Sequence, residues 1–585
     1  ADFELNDDLL PDVAAICHLV AGIPLGIELA SAWVRQLSCA EIVQELEQGI
    51  GFLQTRAGDV PDRHRSLQAV FDHSWALLTS QEQEVLAQLT VFRGGFSREA
   101  ARQVTEATLW TLTALVDKSL LHREANGRYE LLEMVRQFAA AQLTKMPDQE
   151  TNVRSRQAHY FLLLLHQQEA RWQTDKRQLA IDLLSPEIEN ILTAWRWAVT
   201  SLEASSETAA SACNPDCRSL PPVASVVEWL DQALVSLYFL YESYGWFQDG
   251  AAAFGWALAA LEENASLPQK IYGRLLLRYG RFSIFLGQYD KAQKVLEKAR
   301  THLKAINNIQ EISLCLSYLA IVSSFQGNYM QAKVEAEESH RLMQQISHLP
   351  GLAFVQNLRG TLAHRLGAYD DARKYYEASL QLRRQLEDQH GTAVALNNLG
   401  NLANAQQDYQ AARRYYEESQ LIFKEINHQP GQAATLGNAG VIAMGLGDLA
   451  EARRLHEESL ILKQALGNRR SISISLINLA EVMCLLRELN ASRRTFHEAL
   501  RLTMAIQAQP LALDALVGLA GLLMEEDQPE QAIRLLQLAR RHPASSQETQ
   551  EKALQQLEAW GHASDEVAEL EDLETVVDAI LRPYT

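Results

Sequence analysis

Ala393-Val-Ala-Leu-Asn-Asn-Leu-Gly400-Asn-Leu-Ala-Asn-Ala-Gln-Gln-Asp-Tyr-Gln-Ala-Ala412-Arg-Arg-Tyr-Tyr416 holds a small residue at position 400 and another twelve places on, and the pair recurs every 40 residues. The first ladder reads Gly280, Ala320, Gly360, Gly400, Gly440, Ala480 and Ala520; the second reads Ala292, Ala332, Ala372, Ala412, Ala452, Ser492 and Ala532. Two small-residue ladders locked at one period predict a single helix-turn-helix unit stacked on copies of itself, with helices closest where each small side chain sits. Seven units are expected at 273–312, 313–352, 353–392, 393–432, 433–472, 473–512 and 513–552, with Ala252 in phase for a degenerate eighth at 233–272. Gly287, Gly327, Gly367 and Gly447 fall where the first helix of a unit ends, where left-handed backbone favours glycine; Gln407, Arg487 and Asp527 replace it elsewhere. Pro350-Gly351 and Pro430-Gly431 are expected to break the chain between units. The fold class is therefore all-α with a small β wing, an α-solenoid at its centre. Such an array is a binding surface, not an active site.

The rest of the chain sets bounds on that surface. In 585 residues, 47% are apolar and 22% charged, ordinary values for a globular protein with several cores. A net charge of -20, with no basic block, opposes wrapping DNA or docking on an anionic membrane, so neither is an expected partner. Cys17, Cys39, Cys213, Cys217, Cys315 and Cys484 are too few and scattered for a disulfide framework, which fits a reducing, cytoplasmic setting. Cys213-Asn-Pro-Asp-Cys217 lacks the spacing and the second pair of a zinc site, so no metal is expected. No apolar run approaches the roughly 18 residues of a membrane span, and Ala1 in place of Met points to a fragment.

Upstream of the array, residues 1–60 read as short amphipathic helices broken at Gly22-Ile23-Pro24. Residues 61–148 read as helices followed by Ser119-Leu-Leu-His-Arg123, an Asn126-Gly127 turn and Arg128-Tyr-Glu-Leu-Leu132, a hairpin signal that predicts a winged helix. Residues 149–232 form a helical arm whose Ser-, Ala- and Pro-rich stretch 201–225 reads as a flexible loop. The repeats occupy 233–552, and 553–585 end in an acidic amphipathic helix through Val567, Leu570, Leu573, Val576 and Ile580 that caps the stack.

The small-residue pairs, the turn glycines and aromatics such as Tyr376, Tyr416 and Phe496 resemble the tetratricopeptide repeat, in the 40-residue form of bacterial regulators of the MalT type. Gly22-Ile-Pro-Leu-Gly-Ile-Glu-Leu-Ala30 resembles the GLPLA motif of NB-ARC, or STAND, nucleotide switches. Arg63-His-Arg-Ser-Leu67, Phe71-Asp-His-Ser-Trp-Ala-Leu-Leu78 and Val91-Phe-Arg-Gly-Gly-Phe96 resemble the winged helix of the AfsR-like branch. The resemblance implies an ARC-like helical segment at 1–60, Pro24 against the adenine of ATP or ADP, and a two-state switch that oligomerises on activation. It departs from the family in two places. No GxxxxGK[ST] loop occurs, so nothing here cradles nucleotide phosphates. Leu131-Leu132-Glu133 stands where the family's MHD motif offers a His to the diphosphate. Any cofactor is thus expected in the full-length protein and none in this chain, which is read as non-enzymatic.

The groove face of the array carries unusual polarity. Asn397, Asn401 and Asn404 follow helical spacing, Asn398 stands beside them, Asn438 and Asn478 repeat Asn398, and Asn357 repeats Asn397. Asn is a mediocre helix residue, so its presence mid-helix has a cause. Its amide suits reading the backbone of an extended peptide; the other reading is that these residues bond neighbouring helices and lock the stack. Arg278, Arg281, Tyr318, His364 and Arg365 fall on the same face nearer the start and would receive an acidic segment. Arg359 occupies a packing position for which the sequence offers no account beyond a snorkelling stem. Arg413-Arg414 with Glu417-Glu418, and Arg453-Arg454 with Glu457-Glu458, read as solvated pairs. Residues 64–145 hold nine basic and nine acidic side chains, no charge for DNA phosphates. The expectation is the sensor half of a STAND ATPase, binding a protein or peptide ligand and relaying it through the winged helix to a nucleotide-binding domain absent from this chain. The alternatives are an interaction scaffold without a switch, or a transcription regulator whose DNA-binding domain lies elsewhere.

Overall fold

The structure, a computed structural model, describes residues 9–19, 39–48, 67–174, 176–210, 221–262, 269–562 and 572–582, with isolated positions between 27 and 38. Pro24, Cys213, Cys217, Val567 and Leu570 lie outside the described residues. The chain divides into two units, residues 1–167 with 182–233, and residues 168–181 with 234–585.

In the first unit the helices Ser80–Leu89, Arg98–Thr105 and Leu109–Asp117 each begin on a hydroxyl cap: Thr79, Ser97 and Thr108 accept the backbone N–H three residues on. The wing follows as an antiparallel pair, His122 opposite Glu130 and Arg123 opposite Tyr129. It is shorter than the sequence suggests, because the Leu120 and Leu121 amides turn back to the Leu115 carbonyl and finish the preceding helix. Gly127 at φ +85° makes the turn, and Phe96 exchanges both backbone bonds with Tyr129 at 2.9 and 2.8 Å, adding a third rung. The helices Pro147–Gln167 and Ile188–Ala210 pack together beside it. Fully buried Asn190 accepts from Arg93 N at 2.7 Å and donates to Gly95 O at 2.9 Å, while Glu187 takes Arg128 at 2.5 Å. The arm therefore grips the wing at its turn. Residues 201–210, expected as loop, continue this last helix: Ser201 and Leu202 are buried, and the stretch contains neither Gly nor Pro to break it.

The second unit is a run of antiparallel helix pairs, from Gln269–Phe285 with Tyr289–Ala305 through Gln509–Glu525 with Pro529–Arg541. Each pair starts four residues before the expected frame, and five of these starts carry a side-chain cap. Asn308, His348, Asp388, His428 and Asn468 recur every 40 residues and each accepts the N–H three residues on. Pro350 and Pro430 consequently sit in the first helical turn, where a missing N–H costs nothing, and do not break the chain between units. The helix Val223–Tyr244 contains the boundary expected at 233 and is long and apolar enough to cross a membrane; Leu230, Leu234 and Leu237 are buried in the protein.

The ladders do the packing. Ala292, Ala332, Ala372, Ala412, Ala452, Ser492 and Ala532 are fully buried. A Cβ on Gly360 would meet the Tyr376 ring at 2.6 Å, and one on Gly400 the Tyr416 ring at 2.5 Å, so glycine makes room for an aromatic sixteen residues on. A serine ladder ties each pair internally: Ser379, Ser419 and Ser459 donate to the carbonyls of Ala353, Ala393 and Ala433 at 2.7, 2.8 and 2.7 Å. Supertwist brings distant repeats together. The turns at Gly245, Gly287 and Gly327 abut Leu466, Ile506 and Ala544, and the Tyr329 hydroxyl donates to Ala544 O at 3.2 Å across 215 residues of chain. The closing helix Leu573–Leu581 packs through Leu573, Val576 and Val577.

Candidate ligand cavity at the mouth of the array

The first repeats of the array and the segment 168–181 enclose a cavity of about 480 Å³. That size suits a small ligand or the anchoring residues of a peptide. The segment is a strap: it interrupts the arm in sequence yet belongs with the array. Trp172 fixes it, 1% exposed and stacked on Phe239 of the helix Val223–Tyr244 with centroids 5.6 Å apart. Arg177 lies over both rings at 6.0 and 5.8 Å and pairs with Glu242 at 3.2 Å. The stacked pair draws the cation on their shared side, and the Glu242 carboxylate holds it there, so the strap is anchored.

The cavity wall is aromatic and charged. Tyr238, Tyr318 and Phe354 contribute rings, and Arg278 holds Glu311 through two bonds of 2.6 and 3.0 Å. Burial alone would raise the Glu311 carboxyl; Arg278 and Arg274 outweigh it and hold the group below its usual range. Arg383 pairs with Asp388, which also caps the helix Gln389–Ala405 through Gly391 N at 2.9 Å. His348 caps the helix Leu349–Arg365 by accepting Gly351 N on Nδ1 at 3.0 Å, and burial pushes its pKa down. His390 is held well below its ordinary value by burial, with Arg177, His428 and Arg383 adding repulsion. Both imidazoles are therefore neutral hydrogen-bonding groups at pH 7. Arg281 lies over the Phe285 and Tyr318 rings at 4.3 and 5.1 Å, and its Nε is buried without a partner.

Of the residues singled out in the sequence, Arg278, Arg281, Tyr318 and Asn357 line this cavity together. His364 and Arg365 stand instead where distant repeats meet: the His364 ring is 5.8 Å from Tyr369, and Glu548 acts on both residues. The asparagines form cross-links between neighbouring units, Asn398 donating to Asn357 at 2.9 Å and Asn438 to Asn397 at 2.8 Å. Asn401 accepts the Tyr416 hydroxyl at 2.8 Å, while Asn404 and Asn478 are half-buried. Arg359 bonds Glu337, Gln356 and the Tyr375 hydroxyl, and lies 4.1 Å over the Tyr375 ring. Arg413–Glu417 and Arg453–Glu457 are exposed pairs at 2.7 and 2.9 Å. The sequence did not single out Trp172, Arg177 or His348. Tyr238 was within reach, since it repeats Arg278 and Tyr318 at the 40-residue period.

The fold and the cavity define a winged-helix protein with a tetratricopeptide array. Residues 78–144 match the winged helix-turn-helix domain, and residues 273–299, 351–425 and 432–470 match tetratricopeptide repeats. A putative HTH-type transcriptional regulator of Mycobacterium bovis is 35% identical over 197 residues, 32% of this chain and 22% of the regulator. An uncharacterized protein of the same organism is 36% identical over 156 residues, 25% of this chain and 40% of that protein. The chain thus spans less than half the length of the curated relatives it matches. Among solved structures, the STAND protein with a tetratricopeptide repeat sensor from Pyrococcus horikoshii superposes with TM-score 0.46 at 15% identity, over 94% of this chain and 74% of that one. A Rap protein complexed with competence and sporulation factor gives TM-score 0.46 at 16% identity, over 62% and 98%.

Proposed function

We propose that this chain is the sensor region of a regulator, in which the array binds a protein or peptide ligand at its mouth and passes occupancy to the winged-helix unit. The observation that carries the reading is the cavity, enclosed by aromatic and buried polar side chains and walled on one side by the strap. The strap runs in sequence directly from the helix Pro147–Gln167, so a ligand touching Trp172 acts on chain that continues into the arm. A nucleotide-binding domain outside this chain, holding ATP or ADP, completes the switch that the motifs at its start resemble. A ligand shifts such a switch only by the difference in its affinity for the two states.

Naming of one mycobacterial relative as an HTH-type transcriptional regulator favours a second reading, a transcription regulator whose DNA-binding domain lies outside this chain. The winged helix described here offers little to DNA, since its helix Leu109–Asp117 carries no Lys or Arg and exposes Leu109 and Trp110. Affinity capture from native extract tests the sensor reading, using the 585-residue chain beside its Leu314→Trp variant, in which the indole fills the cavity. A peptide or protein retained by the first and lost from the second is expected. Equal retention by both contradicts the reading.

A further inference from the structure

We propose that the cavity recognises its ligand through a single carboxylate, received by Arg281. The inference rests on the sensor reading and specifies the ligand's chemistry. Four guanidinium groups line the cavity, and three are neutralised in place: Arg177 by Glu242, Arg278 by Glu311 and Arg383 by Asp388. Arg281 forms no ion pair among the described residues. Its contacts are the Phe285 and Tyr318 ring faces, which accommodate the cation, and the Tyr238 phenol, with which it hydrogen-bonds; its Nε is buried and unpartnered.

Buried N–H donors are rarely left unpaired, and those left so in a cavity mark where an acceptor belongs. One uncompensated positive charge calls for one negative charge, and the neighbouring Glu242 and Glu311 would repel a dianion. The aromatic wall takes an apolar body attached to that carboxylate. Such a carboxylate comes either from a small organic acid or from the C-terminus of a peptide.

Calorimetric titration of the intact chain distinguishes these sources with two matched pairs of probes: phenylpropionate beside its amide, and Ala-Ala-Phe with a free or an amidated C-terminus. At least one acid is expected to bind, with its amide about tenfold weaker, the loss of one charge-assisted hydrogen bond. The pair that shows the difference identifies the source. Arg281→Gln should abolish the acid–amide difference and Arg281→Lys should keep part of it; circular dichroism checks each fold. Should a variant not fold, the wild-type comparison decides alone. An amide that binds as tightly as its acid overturns the carboxylate assignment and leaves the sensor cavity standing. Acid binding that persists in Leu314→Trp places the ligand elsewhere and overturns both. No acid binding up to about 10 mM overturns the proposal as well.

Discussion

His456 stands in the ladder where other repeats carry Tyr376, Tyr416 and Phe496, and it is fully buried against Gly440 with both ring nitrogens unpartnered. Burial, with Lys463 adding to it, pulls its pKa from 6.5 down to about 4. The folded state therefore holds a neutral ring that the unfolded chain protonates below 6.5, so this contribution to stability is complete above that pH and is lost as pH falls toward 4. His456→Phe, which keeps the ring and removes the unpaired nitrogens, should raise stability at neutral pH by about 1 kcal/mol. It should also flatten the loss of melting temperature between pH 6.5 and 4. Thermal melts of both proteins across that range check it; an unchanged acid profile would place the pH dependence in other groups. A histidine in an aromatic ladder is legible in sequence once the period is known. Its unsatisfied nitrogens are not, because they depend on what the adjoining helices fail to supply.

Between repeats, the asparagine pairs set two readings against each other. Asn398 with Asn357 and Asn438 with Asn397 are bonded across neighbouring first helices, and of the four only Asn357 lines the cavity. Replacing Asn398 and Asn438 together by Ala is expected to lower stability by about 1 kcal/mol per lost bond. Ligand retention by the array should be unchanged. Urea unfolding and the capture experiment read the two effects separately, and a loss of binding with an unchanged urea midpoint would return these residues to the ligand. The 40-residue period placed every one of them on one helix face; whether a face amide meets a ligand or the next amide depends on the distance between adjacent helices. The same limit explains the four-residue error in frame. The small-residue ladder marks close approach, whereas five of the helix starts carry the Asn308, His348, Asp388, His428 and Asn468 caps, a subtler period in mixed residue types.

For the whole molecule, the repeat class, the winged helix and half of the charged cavity wall were legible, because local patterns encode them. The strap was not. Residues 168–181 read as part of a helical arm, and no local signal says that Trp172 and Arg177 pack on Phe239, far along the chain. Nor does any single repeat encode the meeting of Gly327 with Ala544, which arises only when a small rotation per unit accumulates over several units. Both features bear on function, since the strap walls the cavity and the supertwist carries His364 and Arg365 away from it. The central claim is that a ligand enters this cavity and engages the strap. Hydrogen exchange of the intact chain, with and without the captured ligand, tests it most directly. Protection is predicted in 168–181 and in the helices Val223–Tyr244, Gln269–Phe285 and Ile309–Phe325, followed by a change in the arm helix Pro147–Gln167. Protection confined to repeats beyond 430, with the strap exchanging as before, would contradict it.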